Sequence, residues 1–107
     1  MTCHIVKRND TSQAWTDTLT LDGSVINLTN TTVKFIIKHA NGNVSERSAT
    51  IVDAAAGTVR YQPVSADVDT AETLKCEWEI TYIDSSVLTV PNDQYIQIKV
   101  IADLNPD

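Results

Sequence analysis

Leu74-Lys75-Cys76-Glu77-Trp78-Glu79-Ile80-Thr81-Tyr82 alternates apolar and polar residues without a break. A period of two over nine residues describes a strand with one buried and one wet face. The buried face carries Trp78 and Tyr82, side chains large enough to anchor a sandwich core. The wet face carries Lys75, Glu77, Glu79 and Thr81. One such strand needs partners, and the rest of the chain supplies them.

Turn-forming clusters recur at short intervals: Asp22-Gly23-Ser24, Asn41-Gly42-Asn43, Ala56-Gly57, Asp84-Ser85-Ser86 and Pro91-Asn92-Asp93. Between them lie strand-like runs, the pattern of an all-β sandwich or barrel. The runs are His4–Arg8, Ala14–Leu21, Val25–Leu28, Thr32–His39, Val44–Val52, Thr58–Gln62, Leu74–Tyr82 and Tyr95–Ile101. Trp15, Leu19 and Leu21 share one face of the second run. Val33, Phe35 and Ile37 alternate with Lys34 and Lys38 in the fourth, where Ile36 falls on the polar side. The fifth has a weak point near Ser48. Asn41-Gly42 is the strongest tight-hairpin signal, because both residues tolerate positive φ. Pro63–Ala71 is a polar corner with room for one helical turn, for which Asp67 is a candidate N-cap. Thr, Val and Ile make up 35 of the 107 residues, which suits pleated, half-buried surfaces. The expectation is a single domain over residues 1–107, an immunoglobulin-like antiparallel β-sandwich of about seven to nine strands. The antibody Cys-Trp-Cys spacing is absent.

Composition narrows the function classes. The net charge is −6, and no basic run neutralises a phosphate backbone, so nucleic acid is not an expected partner. No apolar run approaches a membrane span, and the N-terminus lacks the pattern of a secretory signal. Cys3 and Cys76 are expected as two free thiols, Cys76 acting as a small hydrophobe on its strand's buried face. That fits synthesis in a reducing cytoplasm.

Reactive constellations are sparse. His4 and His39 have no partner at ligand spacing, so a shared metal site is not expected. Asp53, Asp67 and Asp69 offer hard oxygens for Ca²⁺, but without the spacing or glycine of a calcium loop; a corner of capped turns accounts for them. Glu77 and Glu79 lie two apart on one strand face, where a solvated surface explains them better than a glycosidase pair. Trp15 is either a sugar-stacking platform or, as its phase with Leu19 and Leu21 argues, a core residue. No nucleophile elbow, P-loop or dinucleotide motif occurs. No catalytic residue, cofactor or metal is expected.

Several segments resemble a family of phage proteins. They are Ile5–Thr11, Leu28–Phe35, Ala49–Tyr61 (with Asp53-Ala54-Ala55-Ala56-Gly57), Asp69-Thr70-Ala71, Cys76–Tyr82 and Val90–Asp93. In this order they are similar to the N-terminal domain of baseplate upper proteins and to related small immunoglobulin-like proteins of tailed phages. The resemblance implies a non-enzymatic virion component that docks through strand edges and termini onto other virion proteins, either a major capsid protein or a tail or baseplate protein. Two positions follow: a head decoration or cement protein, or a tail or baseplate accessory. The larger family proteins continue into C-terminal extensions, whereas this sequence ends at Asp107, which tilts the expectation towards the head. The alternative class is a host-receptor or cell-wall carbohydrate-binding module. His4, Ile5, Val6, Lys7 and Arg8 are the expected docking segment, since Lys7 and Arg8 are the only adjacent basic pair. Six negative charges per copy imply an isolated chain that is monomeric or weakly associated.

The strand phase is testable. Trp78→Ala should cost about 3–5 kcal/mol, out of a total of about 5–15 for a domain of this size. Glu77→Ala, on the opposite face, should change the urea midpoint little. Equal losses would refute the phase.

Overall fold

The computed structural model describes residues 3–91 and 95–104, with Cys3 described by its backbone alone. The terminal residues of the expected docking ends and most of the Pro91-Asn92-Asp93 turn lie outside the described residues.

Eleven strands and one short 3₁₀ turn follow in order: β1 Cys3–Lys7, β2 Trp15–Thr18, β3 Thr20–Leu21, β4 Ser24–Val25, β5 Thr32–Lys38, β6 Val44–Ser48, β7 Thr50–Asp53, β8 Thr58–Tyr61, a 3₁₀ turn over Ser65–Asp67, β9 Glu72–Thr81, β10 Val87–Val90 and β11 Ile96–Ile101. The large sheet runs β1-β11-β9-β5-β6, with β10 continuing the edge of β9 beyond β11. The small sheet runs β2-β8-β7, and β3-β4 is a separate hairpin. With β2-β8-β7 facing β11-β9-β5-β6, the order is that of an immunoglobulin-like sandwich. One pairing departs from the antiparallel expectation: β1 runs parallel to β11, His4 beside Ile98 and Val6 beside Val100.

The alternation at 74–80 is realised in full. Leu74, Cys76 and Ile80 are completely buried and Trp78 nearly so. Tyr82 lies past the end of β9 and only packs against the core from its rim. The core joins Val33, Phe35 and Ile37 of β5 and Ile98 and Val100 of β11 to Trp15, Val59 and Tyr61 of the small sheet. Phe35 lies directly across from Trp78. Its ring centroid is 4.5 Å from Trp78, 5.3 Å from Tyr61 and 5.7 Å from Trp15, the spacing of tilted and offset aromatic contacts.

Two of the runs are divided, each for a physical reason, the second at the weak point that the pattern marked near Ser48. Ala14–Leu21 divides at Leu19, whose backbone serves other partners: its N–H donates to Gly57 O and its O accepts from Ile26 N–H. Val44–Val52 divides at Ala49, so that β6 pairs with β5 and β7 with β8. Small Ala49 is the point where the chain crosses from one sheet to the other, its N–H retained by Val33 O. Strand β10 had no counterpart in the sequence reading. It is short and pairs Val87–Val90 with Thr81–Trp78.

The turns follow their residues. Asp22 and Gly23 both take positive φ, closing a two-residue hairpin of the primed type. At Asn41-Gly42 only Gly42 does so. Gly42 N–H donates to His39 O, and His39 N–H to Asn43 O. The tight two-residue hairpin is therefore replaced by a three-residue loop with a glycine bulge.

Gly57 closes the Asp53–Gly57 turn at φ +69°. Asp53 Oδ1 accepts Ala56 N–H, while Ala54 O accepts both Gly57 N–H and Leu28 N–H. A Cβ on Gly57 would lie 2.8 Å from Ile26 O and 3.0 Å from Leu19 O. Gly57→Ala should therefore add overpacking against backbone to the positive-φ cost, a loss of about 2–4 kcal/mol. Gly42→Ala, at φ +93° in open space, should lose only about 1–2 kcal/mol. Comparable losses in urea denaturation would refute the packing argument.

Candidate functional site

The expected docking segment is an edge strand. Among the described residues β1 pairs only with β11, and its outer side is unpaired there. The segment divides by register: His4 and Val6 are half-buried, in line with the core positions of β11, while Ile5 and Lys7 are exposed. Arg8 is less available than its sequence position implied. Its Nη2 lies 3.2 Å from Asp103 Oδ1 in an ion pair. The strand's far end is firmly held: Arg8 N–H donates to Ile101 O, Asn9 N–H to Val68 O, and Gln62 Nε2 to Thr11 O.

Val68 belongs to the corner after β8, where a buried polar cluster is centred on Asp67. Asp67 is fully buried. Its Oδ2 accepts the Tyr61 hydroxyl at 2.5 Å and Val64 N–H at 3.0 Å, and its Oδ1 accepts Arg47 Nε at 3.1 Å and Nη2 at 3.0 Å. Both carboxylate oxygens are thus occupied, as burial of a charge demands. Asp67 is not the N-cap expected from the sequence. It closes the 3₁₀ turn, and its side chain reaches back to the N–H of Val64, which occupies the cap position. Arg47 sits on β6 directly opposite Phe35, at an inward position. β6 is the edge strand of the large sheet, and Arg47, half-buried at this inward position, meets Asp67 there.

The remaining polar residues also have structural duties. Asp17 Oδ2 accepts the indole N–H of Trp78 at 3.1 Å. Glu72 Oε1 accepts Ala40 N–H and its Oε2 lies 2.9 Å from His39 Nδ1, tying the β5–β6 loop to the start of β9. His4 and His39 are not brought together: β11 and β9 lie between their strands, a separation of about 14 Å. Asp53 caps its turn, so Asp53, Asp67 and Asp69 do not act as one oxygen cluster. Among the described residues no group of three or more His, Cys, Asp or Glu side chains could hold a metal. Glu77 and Glu79 are half-buried on the outer face of β9. Trp15 is 5% exposed and belongs to the core. Cys76 is a free, fully buried thiol, and burial pushes its pKa up, keeping it neutral. Cys3's side chain lies outside the described residues. No described helix is long and apolar enough to cross a membrane.

A signal for Asp17 was present in the sequence, since it falls in phase with buried Trp15 and Leu19. No comparable signal marked Asp67 or Arg47, which meet only through the fold.

The Asp67 cluster has consequences for stability. Burial, followed by the hydrogen bond to Asp67, raises the Tyr61 pKa well above its ordinary value of 10.0. The folded state therefore holds the Tyr61 proton more tightly than the unfolded state. That contribution is complete below about pH 10 and is lost as pH rises beyond it. Tyr61→Phe should cost about 2 kcal/mol at pH 7 and should flatten the decline in stability above pH 10. Asp67→Ala should cost about 3 kcal/mol, since it strands Arg47 and the Tyr61 hydroxyl. Urea denaturation at pH 7 and 10.5 checks both; an unchanged alkaline slope in Tyr61→Phe would refute the linkage.

The model of the BppU (baseplate upper protein) N-terminal domain family matches residues 2–101. A solved structure, the N-terminal domain of phage TP901-1 ORF48, superposes with a TM-score of 0.64 at 15% identity, covering 96% of this chain and 99% of that one. At that identity the likeness is one of fold. No curated protein matches the sequence. The family match spans the edge strand, the Asp53–Gly57 turn, the Asp67 corner and the Trp78 strand alike, so the chain belongs to the baseplate upper protein N-terminal domain family, structural components of the phage baseplate.

Proposed function

We propose that this chain is a non-enzymatic docking domain of a tailed-phage baseplate, made in the bacterial cytoplasm and held on the virion by edge contacts with neighbouring baseplate proteins. The observation that carries the reading is the open outer edge of β1, a strand whose far end is fastened to β11 and to the Asp67 corner. A rigid edge with unpaired backbone groups is a natural docking surface, because a partner strand can complete its hydrogen bonds without ordering it first. Of the expected docking segment, Ile5 (66% exposed) and Lys7 face outward and are the contact residues. His4 and Val6 support them from the inner side, and Arg8 orients the strand end through Asp103.

Family membership supports the tail position over head decoration. The carbohydrate-module alternative rested on Trp15 as an exposed platform, and Trp15 is a core residue. The groove of about 280 Å³ beside Trp78, lined by Asp17, Leu19, Val90, Pro91 and Ile96, offers one indole already bonded to Asp17.

Mass spectrometry of purified virions should detect the chain, and immunogold labelling should place it at the tail end. Labelling of the head would move the domain to a decoration role; absence from virions would refute the proposal. An Ile5→Glu, Lys7→Glu variant that keeps its circular dichroism should lose most of its occupancy. Undiminished occupancy would rule out the β1 edge.

A further inference from the structure

The chain is acidic, with 14 Asp and Glu against 8 Lys and Arg. On the sequence alone no basic stripe is visible. The fold makes one. Lys38 and Lys75 stand directly opposite each other on β5 and β9. Lys75 pairs with Gln97, two residues before Lys99 on β11. Lys99 pairs with Ile5, two residues before Lys7 on β1. All four lysines occupy outward positions and are exposed. They cross four neighbouring strands, a width of about 14 Å. Adjacent members are close enough to reinforce one another at physiological salt, where the screening length is about 8 Å.

Half of the chain's cationic residues are thus on one half of one face. No ion pair of these four is found among the described residues, whereas Lys34 pairs with Glu46, Arg47 with Asp67 and Arg8 with Asp103. The acidic residues of the same face, Glu46, Glu77 and Glu79, lie towards its other half, level with Lys34 and Ile36. Like charges directly opposite on neighbouring strands are destabilising. Lysine is used to keep edge strands from aggregating, but that accounts for Lys7 alone, since β11, β9 and β5 are interior strands. A folding role does not explain three neighbouring lysines on interior strands of a sheet in a chain of net charge −6.

We infer that this lysine face is a docking surface for an acidic surface of a different baseplate protein; the inference rests on the baseplate reading above and names the partner's chemistry. The surface is continuous with the β1 edge through Lys7 and Ile5. A groove of about 380 Å³ between Lys38, Lys75, Thr73 and the His39–Gly42 loop is wide enough to receive carboxylate side chains from a partner. Exposed apolar groups flank the lysines: Ile5, Val44 (58% exposed) and Tyr95 (48% exposed), the last with Lys75 Nζ 5.7 Å above its ring. Apolar and cationic groups interleaved on an open sheet face suit a folded protein partner better than a phosphate polymer. All four cations are lysine, not the arginine that favours bidentate phosphate contacts. Charges of this kind act mainly through association rate and orientation, so the contact should be salt-sensitive.

The test uses virions of the phage that carries this chain. Quantitative mass spectrometry counts copies per particle for wild type, for Lys75→Glu/Lys99→Glu, and for Lys34→Glu/Arg60→Glu, which makes the same change in net charge elsewhere. The expected result is at least a tenfold loss of occupancy for the first variant and little change for the second, with Lys75→Arg/Lys99→Arg retaining the wild-type level. Should the glutamate variant misfold by circular dichroism, Lys75→Gln/Lys99→Gln takes its place with the same expected direction. Carbodiimide coupling of lysines to carboxylates in wild-type virions should join this face to Asp or Glu of another virion protein. Coupling to carboxylates of the same chain in another copy would overturn the inference in favour of self-association. So would full occupancy of the Lys75/Lys99 variant with loss of binding to anionic host cell-wall polymer, which would make the face a receptor site. Absence of the wild-type chain from virions would instead overturn the baseplate reading on which the inference rests.

Discussion

Phe35 is the side chain on which the sandwich depends. It is the chain's only phenylalanine, and its ring contacts Trp78 on the neighbouring strand and Trp15 and Tyr61 on the facing sheet. Two sheets of different width are joined at this point. Aromatic rings bury large areas and prefer tilted or offset contacts, so the cluster holds the sheets at a defined spacing and orientation. Around it the inward aliphatic residues of β5, β9 and β11 fill the remaining space, all of them buried.

The difference in width between the sheets creates a second constraint. β6 is the edge of the large sheet, and its inward positions hold half-buried Ser45 and Arg47 in place of apolar residues. Asp67 resolves this by bonding Arg47, Tyr61 and the Val64 backbone together. The corner that carries Asp67 also carries Val68, whose carbonyl holds the end of β1 through Asn9. The core, the corner and the outer edge strand are therefore mechanically linked. An edge strand fastened in this way has little conformational entropy left to lose.

Much of this was readable from local pattern. The period-two runs at 32–38 and 74–80 located the two central strands and their buried faces, because alternation is a local property of a half-buried sheet. Trp15 was placed inward for the same reason. The turn residues at 22–23, 41–42 and 56–57 marked real reversals. The loop form at Asn41-Gly42 was not readable, since the preference of Asn for positive φ is permissive and not obligatory. Tyr82 kept its phase but lay beyond the strand's end.

The sequence by itself determined an all-β sandwich, the faces of its central strands and, through ordered segments from Ile5 to Asp93, the phage family. These depend on residues near one another in the chain. Tertiary structure alone decided which residues meet across it. It sent the two halves of the fifth run to different sheets at Ala49, set β1 parallel to β11, moved Asp67 from turn cap to buried anchor, and paired Arg8 with Asp103. It also gathered Lys7, Lys38, Lys75 and Lys99 from four separate strands onto one face. Strand register carries that information, and register is set by which strands pair and in which direction, a property that no single segment contains.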